Sequence, residues 1–272
     1  MVYEKKSLKN KFRFMKKYIL FFIGLVLILT SCLQERLIFF PDKYPVDHTY
    51  NFTPKFKEYS FKVDKKVNLN GVLFETDSSK GLVFYLHGNG GAIDSWGQIA
   101  DVYLKNKYDF FILDYRGYGK SEGKIRSDQQ IYRDVKIVYD SLKTKYPENK
   151  ILIIGYSIGT GPATQLASTN NPKSLILKAP YYSFTDLVKS MYKIVPTGIL
   201  RYKFKTNEFL PKVKCPITIF HGDNDKMIYV GSSYKLQKLF KPEDRLIILK
   251  GQTHNGINSN VEYLEELKRM LD

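Results

Sequence analysis

The feature that most constrains this chain is the pentapeptide Gly155-Tyr156-Ser157-Ile158-Gly159. It follows the apolar run 151–154, which predicts a buried strand, and it leads into residues 158–168, which have a helical pattern. In a sharp strand-to-helix turn, glycines two positions before and after a serine leave room for close packing around a strained, exposed side chain. The pattern therefore predicts a nucleophilic serine, Ser157, at the end of a central strand.

Short apolar runs alternate with helical patterns along most of the remaining chain. Such strands, apolar on both faces, are typical of a mostly parallel sheet covered by helices on both sides. We therefore predict an α/β fold with a central sheet of about eight strands. The predicted strands are 59–63 and 70–75 (an antiparallel pair), 81–86, 110–113, 150–154, 174–177, 217–220 and 246–249, and the predicted helices are 93–106, 128–146 with a cap at Ser127 or Asp128, 158–168 and 262–271.

A second glycine-rich turn, His87-Gly88-Asn89-Gly90-Gly91, follows the predicted strand 81–86. Backbone N–H groups near Asn89 and at Ile158 would together form an oxyanion hole, the cradle for negative charge on a substrate oxygen. The alternative is a tight turn chosen for its geometry alone. His87 itself sits at the end of a strand and is expected to be structural.

A nucleophilic serine needs a base, and four histidines are available. His254 is favoured because it lies in a loop after the predicted strand 246–249, at the sheet edge where ligands of open α/β sheets bind. His221 adjoins an apolar strand and is expected to be buried, and His48 lies near the N-terminal segment. The base in turn needs a carboxylate to orient it, and Asp223 and Asp225 are both candidates.

The stretch 181–212 separates two predicted strands by far more than a usual connection. It is rich in aromatic and apolar residues and in lysines. Long excursions at such places are more often functional than idle, so we predict a small helical lid over a pocket. The alternative is a loop that packs away from the pocket.

The N-terminus has the pattern of a targeting signal. A basic stretch, 5–17, precedes an apolar run of 12 residues, 18–29, which is too short to span a bilayer but suits a signal-peptide core. The following Leu29-Thr30-Ser31-Cys32 resembles a bacterial lipoprotein signal, in which the cysteine is lipidated. We predict a signal peptide at 1–31, with Met15 as an alternative start, lipidation of Cys32 and a tether at 32–54. An uncleaved membrane anchor is the alternative.

Composition narrows the remaining classes. The net charge is +16, and the first 31 residues contribute +6 of it, which leaves +10 for the rest. A solvated basic surface explains this better than nucleic-acid binding, because the chain has no zinc-finger or RNA-binding signature. Retention of the protein on anionic lipid is the second explanation of the basic charge. With two cysteines, Cys32 and Cys215, and no cluster of metal-ligand spacing, neither a disulfide framework nor a metal or cofactor is predicted, and Cys215 is expected in a buried strand.

Several motifs together resemble the α/β-hydrolase superfamily. Within it, the run 113–123 is similar to a short-lid branch that contains membrane-associated hydrolases, among them relatives of the eukaryotic protein depalmitoylases. Segments 35–41, 87–90, 155–161 and 221–228 also match, so the resemblance covers about residues 35–272. It implies a hydrolase domain at 55–272, with Asp225 rather than Asp223 as the acid of a His-Gly-x-x-Asp pattern, His254 as the base and Asp114 in a structural role.

These readings favour a serine hydrolase that cleaves carboxylic esters or thioesters of apolar acyl groups. The order Ser157, Asp225, His254 is the order expected of α/β hydrolases. The expected location is the bacterial cell envelope, against a membrane and outside the cytoplasm. An amidase or peptidase acting through the same residues is one alternative. A non-catalytic envelope binding protein on the same scaffold is another, because a fold alone does not fix a function.

Overall fold

The computed structural model describes residues 34–192 and 196–272. The predicted signal peptide 1–31 and the predicted lipidation site Cys32 lie outside these ranges. Within the described residues, no helix combines the length and apolar character needed to cross a membrane.

Eight strands form the central sheet of the described chain. Their spatial order is β8-β7-β6-β5-β3-β4-β2-β1, with β1 and β2 antiparallel to their neighbours and all other pairs parallel. The strands are β1 Phe56–Asp64, β2 Val67–Phe74, β3 Leu82–Leu86, β4 Asp109–Leu113, β5 Ile151–Tyr156, β6 Ser174–Lys178, β7 Ile217–Gly222 and β8 Arg245–Leu249. The carboxyl ends of the six parallel strands therefore share one edge.

Helices cover both faces of this sheet, so the predicted α/β architecture with a mostly parallel sheet of about eight strands is confirmed. Besides the short helical stretch 34–38, the described α-helices are α1 Ile93–Trp96, α2 Ala100–Leu104, α3 Asp128–Leu142, α4 Thr160–Ser168, α5 Phe184–Met191, α6 Thr206–Phe209, α7 Gly231–Gln237 and α8 Val261–Leu271. Short 3₁₀ turns lie at Gly97–Ile99, Glu148–Lys150, Ser157–Gly159, Thr197–Ile199, Leu210–Lys212 and Ile257–Ser259.

The core is divided by the sheet into two apolar layers. Along β3, Leu82, Phe84 and Leu86 enter one layer, whereas Val83 and Tyr85 enter the other. The residues of β5 alternate in the same way. This explains why these strands are uninterrupted apolar runs, since each face needs apolar side chains when helices cover both.

The segment that follows Cys32 in sequence packs against the domain. Residues 34–38 are helical, and the Gln34 side chain donates to the carbonyl of Ile199 at 3.0 Å and accepts from the backbone N–H of Arg201 at 2.9 Å. Phe40–Pro41 then pairs in parallel with Gly90–Gly91. Residues 34–41 therefore bridge the excursion after β6 and the glycine-rich turn after β3.

Within the excursion, α5 begins after Ser183, whose hydroxyl accepts from the N–H of Asp186 at 3.0 Å. The stretch around α6 is held by the buried carboxylate of Asp128, which accepts from the backbone N–H groups of Lys203 and Phe204, both at 3.1 Å. Residues 193–195 lie outside the described ranges.

Some predicted elements differ in extent from the observed ones. The single helix predicted at 93–106 is broken into α1, a 3₁₀ turn and α2. Its break falls at Gly97, where a Cβ would lie 2.6 Å from the Phe52 ring, so the close approach of that ring requires glycine. Helix α3, capped by Ser127, ends at Leu142 instead of Tyr146. Cys215 is buried as expected but precedes β7, so its placement in a strand was wrong.

Candidate active site

Ser157 occupies a strained turn between β5 and α4. Its backbone φ of +52° lies in the left-handed region, which residues other than glycine rarely adopt. The flanking glycines are needed for packing: a Cβ at Gly155 would lie 2.6 Å from the carbonyl oxygen of Gly159, and one at Gly159 would lie 2.2 Å from that of Leu86. Strain of this kind persists where the surrounding structure holds it, often at functional sites.

The structure brings the three residues predicted for catalysis into one chain of contacts. The Nε2 atom of His254 lies 3.0 Å from Oγ of Ser157, and its Nδ1 atom lies 2.7 Å from Oδ2 of Asp225. These residues come from the loops after β5, β7 and β8. The three residues are 5 to 9% exposed, so the contacts are sheltered from bulk water.

The two candidate carboxylates have different surroundings. Asp225 Oδ1 accepts from the backbone N–H groups of Met227 and Ile228, both at 2.8 Å, which leaves Oδ2 for His254. Asp223 instead accepts from the backbone of Gly251 at 2.6 Å. The geometry therefore places Asp225, and not Asp223, against the imidazole.

Burial on its own would raise the pKa of the Asp225 carboxyl. Hydrogen bonds with His221 and His254, the charge of His254 and the backbone N–H of Ile228 outweigh burial and hold that pKa well below the usual range. The carboxylate therefore stays ionised at any pH near neutrality, which suits it to orient an imidazole and to stabilise imidazolium.

The other histidines of the sheet edge are committed elsewhere. His221 is fully buried. Its Nδ1 lies 2.7 Å from the Ser233 hydroxyl, and its Nε2 lies 2.8 Å from the Ile228 carbonyl and 3.3 Å from Oδ2 of Asp225. His87 is also fully buried, and its Nδ1 lies 2.7 Å from the Gly88 carbonyl. The remaining nitrogen of His87, Nε2, lies 3.5 Å from Oδ1 of Asp114 and forms no hydrogen bond, and of these three histidines only His254 contacts Ser157.

The predicted oxyanion donors lie on the two turns beside the serine. Ile158 follows Ser157 in the 3₁₀ turn Ser157–Gly159, at the start of the helical segment, where backbone N–H groups have no intrahelical acceptor. The backbone carbonyl of Asn89 accepts from the Tyr118 hydroxyl at 2.7 Å, and the carbonyl of Gly90 accepts from Trp96 Nε1 at 2.7 Å. These bonds fix the loop whose N–H at Asn89 would be the second donor.

Sequence reasoning missed the groups that hold the histidine loop. Tyr156, the residue before the serine, donates its hydroxyl to the carbonyl of His254. The fully buried ammonium of Lys178 donates to Asn258 Oδ1 at 2.5 Å, inside a shell of tyrosine rings. Burial lowers the pKa of Lys178 well below its usual value. In the sequence, the only indication of these contacts was a lysine at the end of an apolar strand. The Tyr156–His254 and Lys178–Asn258 contacts each join residues about 80 or more positions apart, so no local pattern indicates them.

Within the described part of the chain, no three His, Cys, Asp or Glu side chains are grouped to hold a metal ion. Burial raises the pKa of the Cys215 thiol to about 11, so this cysteine is a poor nucleophile near neutral pH.

Comparison with curated proteins decides the family. Over 205 residues the chain is 30% identical to human α/β hydrolase domain-containing protein 17B, a match that covers 71% of this chain and 67% of that protein. The chain belongs to the α/β-hydrolase superfamily. This α/β hydrolase is also 29% identical over 198 residues to the α/β hydrolase domain-containing protein aho-3 of Caenorhabditis elegans, covering 70% of this chain and 57% of that relative.

This chain spans only 57 to 62% of the lengths of several such relatives. Among them are aho-3 and the α/β hydrolase domain-containing protein 17C of Xenopus tropicalis and of Mus musculus. Residues 77–209 match the family described as serine aminopeptidase, S33. That range contains Ser157 and ends before Asp225 and His254.

Solved structures share the fold. An esterase from Pyrococcus furiosus superposes with a TM-score of 0.65 at 21% identity, covering 85% of this α/β hydrolase and 98% of that chain. An α/β hydrolase from Vibrio vulnificus gives a TM-score of 0.67 at 18% identity, covering 80% and 81%. These structures confirm the predicted fold, and the match to the curated relative confirms membership of the α/β-hydrolase superfamily.

Proposed function

We propose that this α/β hydrolase cleaves carboxylic esters or thioesters, with Ser157 as nucleophile, His254 as general base and Asp225 as the carboxylate that orients it. The observation that carries the proposal is the contact chain from Ser157 Oγ through both ring nitrogens of His254 to Asp225 Oδ2. The serine also sits at φ +52°, a conformation that holds its hydroxyl out of the sheet edge.

In the acylation half-reaction, His254 Nε2 takes the proton of Ser157 as Oγ attacks the substrate carbonyl carbon. The carbonyl oxygen becomes an oxyanion, which the N–H groups of Asn89 and Ile158 stabilise, and each such donor contributes about 3 kcal/mol. Collapse of the intermediate breaks the bond to the leaving alkoxide or thiolate. The imidazolium returns its proton to that group, and the acyl group remains on Ser157.

Water completes the cycle. His254 takes a proton from a water molecule, whose oxygen attacks the acyl carbon and forms a second oxyanion at the same position. Release of Ser157 Oγ, which regains the proton from His254, yields the carboxylic acid. The ionised Asp225 stabilises the imidazolium in both halves by accepting its Nδ1–H.

Apolar acyl chains are the proposed substrate class. The chain exposes large apolar side chains just after Asp225 in sequence, at Met227 and Tyr229, and at Met191 at the end of α5. The resemblance to membrane-associated hydrolases, palmitate-cleaving enzymes included, points the same way. Lipidation of Cys32 and a location on the membrane of a bacterial cell envelope are part of this proposal, and segment 181–212 would act as the lid.

The proposal is tested by labelling the full chain, purified in neutral detergent, with a fluorophosphonate probe. We expect strong labelling that is lost in Ser157→Ala and in His254→Ala. Ser141→Ala changes an exposed serine on α3 and should label like the parent, so it controls for handling. Undiminished labelling of Ser157→Ala would refute the assigned nucleophile, and an unlabelled parent would favour the non-catalytic binding protein.

An amidase or peptidase remains a second candidate, because residues 77–209 match the family described as serine aminopeptidase. Both reactions use the same nucleophile, so they separate only by leaving group. We expect hydrolysis of medium-chain acyl nitrophenyl esters to exceed hydrolysis of aminoacyl nitroanilides in kcat/KM. Faster cleavage of the anilides would reverse this assignment.

A further inference from the structure

A pocket of about 850 Å³ lies beside the candidate active site and not on it. We call it the basic pocket. Its walls come from residues 35–43, from the loop 116–126 after β4 and from Arg201, and neither Ser157 nor His254 lines it. Its volume is within the range of pockets that bind drug-sized ligands.

The charges of the basic pocket are strongly one-sided. Arg36, Lys43, Lys124 and Arg126 line it, and in the described ranges none of these four side chains forms an ion pair. The single acidic residue in its lining, Glu35, is already paired with Arg201 at 2.7 Å. The buried Arg116 is held by Asp134 at 2.5 Å. Four uncompensated cations facing one cavity favour an anionic ligand.

The same pocket also offers an apolar surface. Phe39, Phe40, Tyr118 and Ile125 line it, and Phe40 is among the more exposed large apolar side chains of the described chain. A free inorganic anion would not contact these apolar side chains favourably. A molecule with an anionic headgroup and an adjacent hydrocarbon part would contact both the cationic and the apolar parts of the lining. The chemistry is therefore that of an anionic amphiphile.

The position of the basic pocket selects the source of that amphiphile. Glu35 and Arg36 stand three and four residues after Cys32, and Gln34, two residues after it, is bonded to the backbone at Ile199 and Arg201. Two residues span at most about 7 Å, so acyl chains on Cys32 would enter a membrane directly beside the pocket. We propose that the basic pocket binds the headgroup of an anionic phospholipid of that membrane, a placement that rests on the proposed lipid anchor.

The walls of the basic pocket reach the candidate oxyanion loop. Phe40, in one wall, is paired along its backbone with Gly90, and Tyr118, in another, donates its hydroxyl to the carbonyl of Asn89. A bound lipid would therefore lie against Tyr118, which bonds the Asn89 carbonyl, and against Phe40, which pairs with the neighbouring Gly90. Anionic lipid should raise the hydrolytic rate of the enzyme as well as retain it at the surface.

The test is native mass spectrometry of the full chain in neutral detergent, titrated with phosphatidylglycerol. We expect one lipid bound per chain, at least about tenfold more tightly than phosphatidylcholine with the same acyl chains. The variant Arg36→Gln/Lys124→Gln/Arg126→Gln should lose this preference. The matched variant Lys105→Gln/Lys238→Gln/Lys250→Gln removes three exposed cations that lie outside the pocket, and should keep it.

Equal loss in both triple variants would mean that general surface charge holds the lipid, and equal binding of the two lipids would mean that the headgroup is not recognised. Either result overturns the proposal. Displacement of the lipid by glycerol 3-phosphate would reassign the pocket to a soluble phosphate. Ser157→Ala should bind phosphatidylglycerol normally while losing fluorophosphonate labelling, so failure of the hydrolase assignment and failure of the pocket assignment are separable.

Discussion

The turn that carries Ser157 and the two loops that carry Asp225 and His254 meet at one edge of the sheet but are built in different ways. In the serine turn, position is set by steric contact around its two glycines, such as Gly155 against Gly159 and Gly159 against Leu86. In the other two loops, position is set by hydrogen bonds from distant residues, such as Tyr156 to the His254 carbonyl. The first device leaves a short sequence motif, whereas the second leaves almost none.

This difference also predicts how each part fails. A steric arrangement tolerates no added atom, so its substitutions should cost stability. A hydrogen-bonded arrangement loses one contact at a time, so its substitutions should cost rate or alter pH dependence while the fold survives. Four variants, taken from the largest expected effect to the smallest, test this contrast.

Replacing Asp225 with Asn should reduce kcat by about 10³ to 10⁴-fold, because the amide cannot hold the imidazole in the required tautomer or stabilise its charge. Asp223→Asn should retain most of the activity, since Asp223 bonds to the backbone of Gly251 instead. Steady-state ester hydrolysis measures both. Comparable losses in the two variants would contradict the assignment of Asp225.

Replacing Gly159 with Ala should lower the free energy of unfolding by about 3 kcal/mol or more, because the new Cβ would lie 2.2 Å from the carbonyl oxygen of Leu86 and 2.6 Å from that of His87. Gly198→Ala is the control, since nothing lies within 4 Å of a Cβ there, and it should change stability by less than about 0.5 kcal/mol. Denaturant unfolding measures both. Equal stability of the two variants would show that the serine turn can relax.

Lys178 should make the free energy of unfolding depend on pH below the ordinary pKa of lysine. Burial lowers its pKa in the folded state, so between that value and about 10.4, its ordinary value, the unfolded chain binds more protons than the folded one. Stability contributed by this group therefore rises with pH across that window, by up to about 1.4 kcal/mol per pH unit. In Lys178→Met this slope should disappear, and unfolding at a series of pH values compares the two. An identical slope in the variant would mean that Lys178 stays charged in the fold.

Replacing Tyr156 with Phe should have the smallest effect. The ring can keep its packing beside Trp96, but the hydrogen bond to the His254 carbonyl is lost, at a cost of about 0.5 to 1.5 kcal/mol. We expect a decrease in kcat of up to about tenfold with little change in thermal stability. A large loss of stability with unchanged kcat would place this tyrosine with the steric elements instead.

The parts of the molecule that follow local rules were predicted from sequence. The strands come from apolar runs, because a sheet covered on both faces needs apolar residues at every position, as Leu82 to Leu86 illustrate. The grouping of Ser157, Asp225 and His254 also follows from sequence, since all three come after predicted strands whose carboxyl ends share an edge. Reasoning from the residues alone left Asp223 and Asp225 open. The contacts of each separate them.

What the sequence could not supply are contacts between segments far apart in the chain. The pairing of Phe40–Pro41 with Gly90–Gly91 involves two residues on each side, too few for any periodic pattern. The role of Lys178 depends on Asn258, 80 residues away, and on tyrosine rings from other elements.

One local element was also not predicted. Helix α7, Gly231–Gln237, includes two serines and a glycine and has only a weak apolar stripe.

The placement of Trp96 has a practical consequence. It is the only tryptophan in the chain, its indole N–H is bonded to Gly90, and its ring lies 5.2 Å from that of Tyr156. All of the protein's indole fluorescence therefore originates between the glycine-rich turn and Tyr156, the residue before Ser157. Selectively excited indole emission would report on that junction in the unlabelled protein, so the proposed acylation of Ser157 and the proposed binding of a lipid at the neighbouring wall can each be followed in real time by an intrinsic optical signal.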